Sequence, residues 1–444
     1  MCTCGVNPVL DLYGRWVVSS GVLDQIGEQA ELRSRRGIYS LAVVLWLMIW
    51  QRLQPRGTMS QAVRQLVQGS GRSLLPECKR VREGRISACP GGYCQGIRKM
   101  PKLVPRLVTS DVVARLSREL GEPFPGLSGA VYVLDGSTLQ LEHTRKLVRA
   151  YPLGHNQHGQ GHWPILRIVV MHDLSSGLAL YPQWGPFHGS GAVSEQGLAA
   201  LAFAQLPPDS VVIADRNFGV FSVAWEARQR QSRVIVRLTK VRAEKLFGGS
   251  IFEEGDYPVM WRPSRWDQPQ VTPWEAEAEL TGRLIASRVG RGKSKQWLYL
   301  FTTVSLPVQE VVGIYARRWN IETDLRSLKQ TVHLQQLRSR SVDGIEKELL
   351  TAICAYNFVR AVMCLAARRA GMATRQLSFT QVLDVVNCAW PGLASAASKQ
   401  AHDAEFEKIL DWAAACKLPR RRKRRSYPRE VWGRGYHFPA RKTK

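Results

Sequence analysis

Three acidic residues, far apart along the chain, carry the chemistry this sequence can do: Asp135, Asp215 and Glu322. Asp135 follows the apolar run Ala130-Val-Tyr-Val-Leu134 and Asp215 follows Ser210-Val-Val-Ile-Ala214, so each is expected at the C-terminal end of a strand. Glu322 is expected on a helix. Its surroundings, Tyr315 to Lys329, contain no Pro or Gly, and Ile314, Ile321, Leu325 and Leu328 recur at helical spacing. At about 100° per residue, Tyr315, Arg318, Glu322 and Lys329 share one stripe about 60° wide. A single carboxylate among cations, beside an apolar face that anchors the helix, suits a metal ion next to a phosphate backbone. Two strand-end aspartates and a helical glutamate are the hard oxygen donors that a pair of Mg²⁺ ions takes while bridging phosphates. Such a pair, about 4 Å apart, serves phosphodiester chemistry by activating the attacking oxygen and stabilising the leaving one. Plainer readings stay open at this level. An aspartate after a strand is an ordinary turn residue, and the stripe is equally a solvated charged face with i,i+4 pairs. Asp173, beyond the strand ending at Met171, is read as such a turn residue. Asp324 faces the far side of the helix, about 160° from Glu322.

The elements that must position these residues follow from periodicity. Residues 1 to 127 are helical and basic, with Arg33-Ser-Arg-Arg36 ahead of an apolar helix from Ile38 to Trp50 and a loop over Gly84 to Gly96. Such a unit suits DNA binding, although no helix-turn-helix register stands out. A β-rich stretch follows: Ala130–Leu134, Ile165–Met171 and Leu178–Tyr181, the last two joined by a turn at Ser175-Ser-Gly177. Strands at Ser210–Ala214 and Ser232–Leu238 flank a helix over Phe221 to Gln231. Thr239 to Lys295 reads as a β insertion, a strand resumes at Gln296–Thr302, and one helix spans Val308 to Lys329. Glu346 to Ala370 is a long apolar helix.

The chain is ordinary in its 45% apolar and 22% charged content, and its 444 residues allow about two to four units. Its charge is not ordinary: 62 Lys+Arg against 36 Asp+Glu gives +26. That excess favours a polyanionic partner, nucleic acid before membrane. The last 28 residues hold 12 basic and one acidic residue, so most of the excess lies elsewhere. No apolar run is long enough to be read as a membrane span, and no signal peptide is visible. Nine scattered cysteines point to free thiols in a reducing cytoplasm. The histidines at 155, 158 and 162 sit in a glycine-rich loop with no cysteine beside them, which favours DNA-backbone contact or solvation over zinc. Cys2, Cys4, Cys89 and Cys94 make a poor zinc set because the Cys89–Cys94 gap is wide and Cys2 is terminal.

Three ordered motifs carry a resemblance: Leu134-Asp-Gly-Ser-Thr138, Ala214-Asp-Arg-Asn-Phe-Gly219, and Tyr-x2-Arg-x3-Glu-x6-Lys ending at Lys329. Together the set resembles the DDE transposases of the fourth insertion-sequence family of bacteria, whose signature is the last motif. Asn156-Gln-His-Gly159 and Tyr356-Asn-Phe-Val-Arg360 resemble the same family more loosely. The resemblance implies an α/β fold with a ribonuclease-H-like mixed-sheet catalytic core, interrupted by a β-rich insertion and flanked by helical N- and C-terminal regions. The corresponding divisions are 1–127 (DNA-binding), 128–238 and 296–372 (core), 239–295 (insertion), 373–416 (C-terminal helices) and 417–444 (basic tail).

For activity it implies cut-and-paste transposition. Asp135, Asp215 and Glu322 would hold two Mg²⁺ or Mn²⁺ ions, and Tyr315, Arg318 and Lys329 would grip phosphates. Arg216 would join them, and Trp297 would stack on a flipped base during hairpin formation. The expected partners are double-stranded DNA, as terminal inverted repeats and target, and a second copy in a synaptic complex; the expected location is the bacterial cytoplasm, at the nucleoid. Two other readings stand beside this one: a ribonuclease-H-fold nuclease without strand transfer, and a non-catalytic, repurposed DNA-binding protein. A mere binding module has no need of three carboxylates in a basic surface.

Overall fold

Runs of β-branched and aromatic residues build the sheet that positions the site. A computed structural model describes residues 6–29, 37–121, 124–156, 159–275, 277–290, 295–388 and 390–419. Its strands are β1 (Val131–Gln140), β2 (His155–Asn156), β3 (Gly159–Gln160), β4 (Ile165–Asp173), β5 (Gln183–Pro186), β6 (Val211–Ala214), β7 (Arg233–Leu238), β8 (Gly255–Trp261), β9 (Leu280–Val289) and β10 (Gln296–Thr302). Eight of them form one mixed sheet in the order β5-β4-β1-β6-β7-β10-β9-β8, and β2 and β3 form a separate small hairpin. Strands β1, β6 and β7 are parallel. All the other pairings in the sheet are antiparallel.

Strand β6 is apolar at every position, and β1 is so up to Leu134, because both faces of the sheet are covered there. Alternate residues enter different cores. Tyr132, Leu134, Val212 and Ala214 meet the helices Glu195–Ala202 and Phe221–Gln229. Val131, Val133, Val211 and Ile213 meet Val311, Ile314, Tyr315, Ile321 and Leu325, on the stretch that carries Glu322. A third core joins helices from both ends of the chain around Val342–Arg369. This 28-residue helix is long and apolar enough to cross a membrane by composition, but 94% of its most apolar window is buried inside the protein. It is the central post of the helical layer, packed by Leu41–Leu53, Leu103–Leu120 and Lys399–Ala415.

The structure departs from the sequence reading in five places. Strand β1 does not end at Leu134; it continues to Gln140, paired with β4 alone. The third strand lies at Gln183–Pro186 and not at Leu178–Tyr181. Residues 178–181 run beside the end of β4, where Leu178 and Leu180 bond to Asp173 and Met171 (2.9 and 2.8 Å) as an isolated bridge. On their other edge, side-chain amides occupy the backbone groups a further strand would take. Asn357 pairs with both the N–H and the C=O of Ala179 (2.8 and 2.8 Å), and Gln205 does the same for Tyr181 (2.8 and 2.8 Å). The expected loop over Gly84–Gly96 becomes a helix at Gly91–Lys99. Here packing overrides the poor helix propensity of glycine: a Cβ at Gly92 would come within 2.5 Å of Tyr39, and one at Gly96 within 2.7 Å of Val44.

Residues 239–295 hold a helix, Lys240–Phe247, followed by β8 and β9, which with β10 extend the same sheet beyond β7. Finally, Val308–Lys329 is not one uniform helix. It runs as α-helix over Val308–Ala316, a tight 3₁₀ turn over Arg317–Trp319, α-helix over Asn320–Arg326 and a wide π turn over Ser327–Thr331. The wide turn falls where the apolar face changes partners. Leu325 lies in the core under the sheet, and Leu328 lies in the helical core. Cys2, Cys4, Arg33, His158 and the Arg420–Arg425 run lie outside the described residues.

The Asn357 amide gives a stability test. Asn357→Leu keeps the volume but leaves a buried donor and acceptor at Ala179 unpaired, so urea denaturation should show a loss of about 2–4 kcal/mol. A loss below about 1 kcal/mol would mean that the edge is satisfied some other way.

Candidate active site

The last parallel pair between β1 and β6 is Leu134 with Ala214. Asp135 and Asp215 come next on the two strands, about 4.8 Å apart in strand spacing. Beyond this point β6 turns away. The Asp215 carboxylate accepts the Asn217 N–H at 2.8 Å, and the Asp215 carbonyl accepts the Phe218 N–H at 3.1 Å. Since β1 continues, Asp135 faces a notch left by its departed neighbour. The Gly136 N–H donates to its carboxylate at 2.8 Å.

Burial pushes the Asp135 carboxyl up to about 6; the carboxylates of Asp215 and Glu195 push the same way, while the Gly136 N–H and the Arg318 guanidinium only partly oppose them. A partly dry carboxylate beside a second one is short of positive charge, and hard oxygen donors in that state suit a divalent cation. In this respect the residues fit the ion that the sequence implies. Glu322 contributes differently. It is half-exposed and pairs with Arg318 at 3.5 Å, the i,i+4 pair that a plain charged face would show. Among the described residues, no three Asp, Glu, His or Cys side chains gather as metal ligands would.

The two turns in the helix break the uniform 100° projection: Arg318 and Tyr315 still act on Asp135 and Asp215, and Lys329 reaches β1, while Glu322 is tied to this group through Arg318. The Tyr315 hydroxyl is buried without a well-formed hydrogen bond among the described residues. Burial holds its pKa above the usual phenol value, against the pull of nearby Arg318 and Arg237; the Asp215 carboxylate adds to the rise. Lys329, on the wide turn, donates to the Ser137 hydroxyl on β1 at 3.0 Å. Arg216 is exposed, and its carbonyl, with that of Gly219, accepts from Arg242 at 3.2 Å each, which clamps the Asp215 turn.

Trp297 stands at the same end of the strands, packed with the core on the face opposite the helix that carries Glu322. Strand β10 runs antiparallel to β7 with Tyr299 opposite Leu238, so Trp297 stands beyond the C-terminal end of β7. Its ring stacks on Tyr299 at 5.8 Å, and the Arg288 guanidinium covers it at 4.6 Å. Asp173 closes the turn after β4, accepting from the Ser176 N–H and hydroxyl at 2.6 Å each. Asp324 is fully buried on the far side from the notch, paired with Arg360 and Arg375. Burial alone would raise its pKa, but the two guanidinium groups hold it below the usual carboxylate value.

Several residues at the site carried no recognisable signal. Glu195 follows the Ser194 cap and looks like any acid in a first helical turn. In the fold it pairs with Asn217, and a Cβ at Gly136 would come within 2.5 Å of it. Trp319 is 63% exposed beside Glu322, with the Arg318 guanidinium 5.5 Å from its ring. Arg237, Arg242 and Ser137 are recognisable only once the strand ends are in place.

The raised Asp135 value sets a pH dependence. Its proton is held more tightly in the folded chain (about 6) than at the ordinary 3.8, so ionisation destabilises the fold progressively between these values and fully above about 6. Asp135→Asn should therefore stabilise the metal-free protein by up to about 3 kcal/mol at pH 8, and by almost nothing at pH 4. Urea melts in EDTA at the two pH values measure this; equal effects at both would remove the strained carboxylate.

Comparison with known proteins identifies the frame in which this geometry sits. Residues 127–358 match the transposase DDE domain. The chain is 24% identical to the transposase InsG for insertion sequence element IS4 of Escherichia coli (strain K12), over 97% of this chain and 91% of that one. A solved structure of a piggyBac transposase synaptic complex with hairpin DNA is similar at a TM-score of 0.43 and 12% identity, over 91% of this chain and 85% of that one. With the domain match spanning more than half of the chain, this protein belongs to the DDE transposases.

Proposed function

We propose that this transposase moves its DNA element by cut-and-paste, through metal-dependent end cleavage, a hairpin intermediate and strand transfer. The observation that carries the reading is the register Leu134–Ala214, which sets two carboxylates side by side at the open end of parallel strands. The order β5-β4-β1-β6-β7, with β4 antiparallel to both neighbours, supports a ribonuclease-H-like core; the helix Lys240–Phe247 with β8 and β9 corresponds to the insertion, and β10 resumes the core. Asp135, Asp215 and Glu322 hold two Mg²⁺ or Mn²⁺ ions. When bound, such ions activate the attacking oxygen and stabilise the leaving one.

The chain's own groups do the rest. Arg318, Lys329 and Arg216 bind the phosphates of double-stranded DNA, and the Tyr315 hydroxyl, beside Arg318, donates to a phosphate oxygen. A phosphate that competes for Arg318 releases Glu322 toward the two aspartates. Trp297 takes an unstacked base on its ring in place of the Arg288 guanidinium that covers it, a stack worth about 1–3 kcal/mol. The helical N-terminal region and the basic tail grip flanking DNA, and two copies act together on paired ends in the bacterial cytoplasm.

Asp135→Ala, Asp215→Ala and Glu322→Ala should each abolish Mg²⁺-dependent end cleavage and strand transfer while end binding persists. Cleavage gels and a strand-transfer assay on the element's terminal repeats read this; full activity in any one variant sinks the triad. Cleavage by the wild type with no joined product would favour a nuclease. Trp297→Ala should slow hairpin formation more than first-strand nicking, measured on labelled ends, and equal slowing would leave Trp297 a packing residue.

A further inference from the structure

The seven-residue helix Asn320–Arg326 carries Glu322 between a tight turn and a wide one. The backbone stays helical across both junctions, and the buried side holds the stretch against the core: Ile321 and Leu325 pack there, and Asp324 has no exposed surface. A carboxylate in such a place is strongly unfavourable unless paired and hydrogen-bonded. The helix is therefore held wherever the guanidinium groups are. The Arg375 Nη1 donates to both Asp324 oxygens at 2.6 and 2.7 Å. Its other two nitrogens donate to the carbonyls of Leu174 and Asp173, each at 2.9 Å.

Those carbonyls stand at the end of β4, and β4 holds β1 in register with Asp135 opposite Val170. One planar group thus ties the stretch bearing Glu322 to the strand beside Asp135. Arg360 adds a second contact from the long helix: it pairs with Asp324 and donates to the Tyr356 hydroxyl at 2.9 Å, which itself donates to the Gly177 carbonyl at 2.8 Å. Both arginines lie beyond residue 358, outside the matched domain.

We infer that Arg375 is a positioning residue for the metal-holding carboxylates, setting Glu322 against Asp135 through Asp324; this rests on the reading of Glu322 as a metal-holding group. Arg375 suits substitution because its side chain is 20% exposed, whereas that of Arg360 is 4% exposed. Arg360 remains to neutralise Asp324 when Arg375 is removed.

The test uses the full chain and Mn²⁺ as the probe. Thermal denaturation is followed across Mn²⁺ concentrations for the wild type, Arg375→Ala, Arg375→Lys and Glu322→Gln, beside binding of end DNA in EDTA. Arg375→Ala should bind DNA as the wild type does but need about 10- to 100-fold more Mn²⁺ for the same rise in Tm, with cleavage recovering at high Mn²⁺. Arg375→Lys, which keeps the charge but not the fork, should fall between, and it stands in for the alanine variant if that does not fold. An unchanged Mn²⁺ dependence, or lost cleavage that no Mn²⁺ concentration restores, would make Arg375 a packing residue. Glu322→Gln separates the two ideas. If it keeps the wild-type response, the metal reading of Glu322 fails; if it loses the response while Arg375→Ala keeps it, only the positioning role fails.

Discussion

Two carboxylates side by side in a partly dry notch repel each other, and most of the architecture around this site is arranged to hold them there. Parallel pairing supplies the juxtaposition, since β1 and β6 keep step until Leu134 and Ala214 and then separate. Burial on both faces makes the register hard to change, because a slip of one residue would move Tyr132 and Leu134 into the opposite core. Burial, with the repulsion added to it, leaves an unfavourable charge at Asp135, which the Gly136 N–H and Arg318 relieve only in part. On the proposed reading, a site of this kind is less stable empty than filled.

The neighbouring helix meets a different constraint. It must bury an apolar face under the sheet up to Leu325 and in the helical layer from Leu328 onward, while turning its polar residues to the notch. A uniform helix cannot satisfy both cores, and the tight and wide turns on either side of Asn320–Arg326 resolve the conflict. Irregular turns of this sort often mark functional stretches. They also shift the burden of orientation onto side chains. Asp324 bears it because a buried carboxylate tolerates very few positions, whereas Ile321 and Leu325 tolerate small rotations.

How much of this could be read beforehand depends on the range of the interaction. Asp135 and Asp215 were legible because each follows a short apolar run that only a covered strand explains. That β1 runs past Asp135 was not, since Gly136-Ser-Thr138 reads as a turn and only its pairing with β4 makes it strand. The helical character of Gly91–Lys99 was hidden for a related reason. Glycine is a poor helix former alone, and its value lies in letting Tyr39 and Val44 approach. Glu195, Arg375 and Asn357 form their contacts across long separations, and no local pattern announces such partners.

The same reasoning explains why a chain with +26 net charge keeps its acidic cluster distinct. Cations are present at the notch, yet each has its own anchor: Lys329 on Ser137, Arg318 on Glu322, Arg242 on the carbonyls of the Asp215 turn. None of them forms a direct ion pair with Asp135 or Asp215 among the described residues. An arginine bridging the two aspartates would relieve the repulsion and occupy the place of a cation, and phosphate would then have to displace protein before any chemistry began. Held slightly apart, the basic groups can meet a phosphate backbone while the carboxylates stay open to metal. On the proposed reading, this separation of anion-binding from cation-binding groups, fixed by side-chain anchors a few ångströms away, is what lets one short helix serve both.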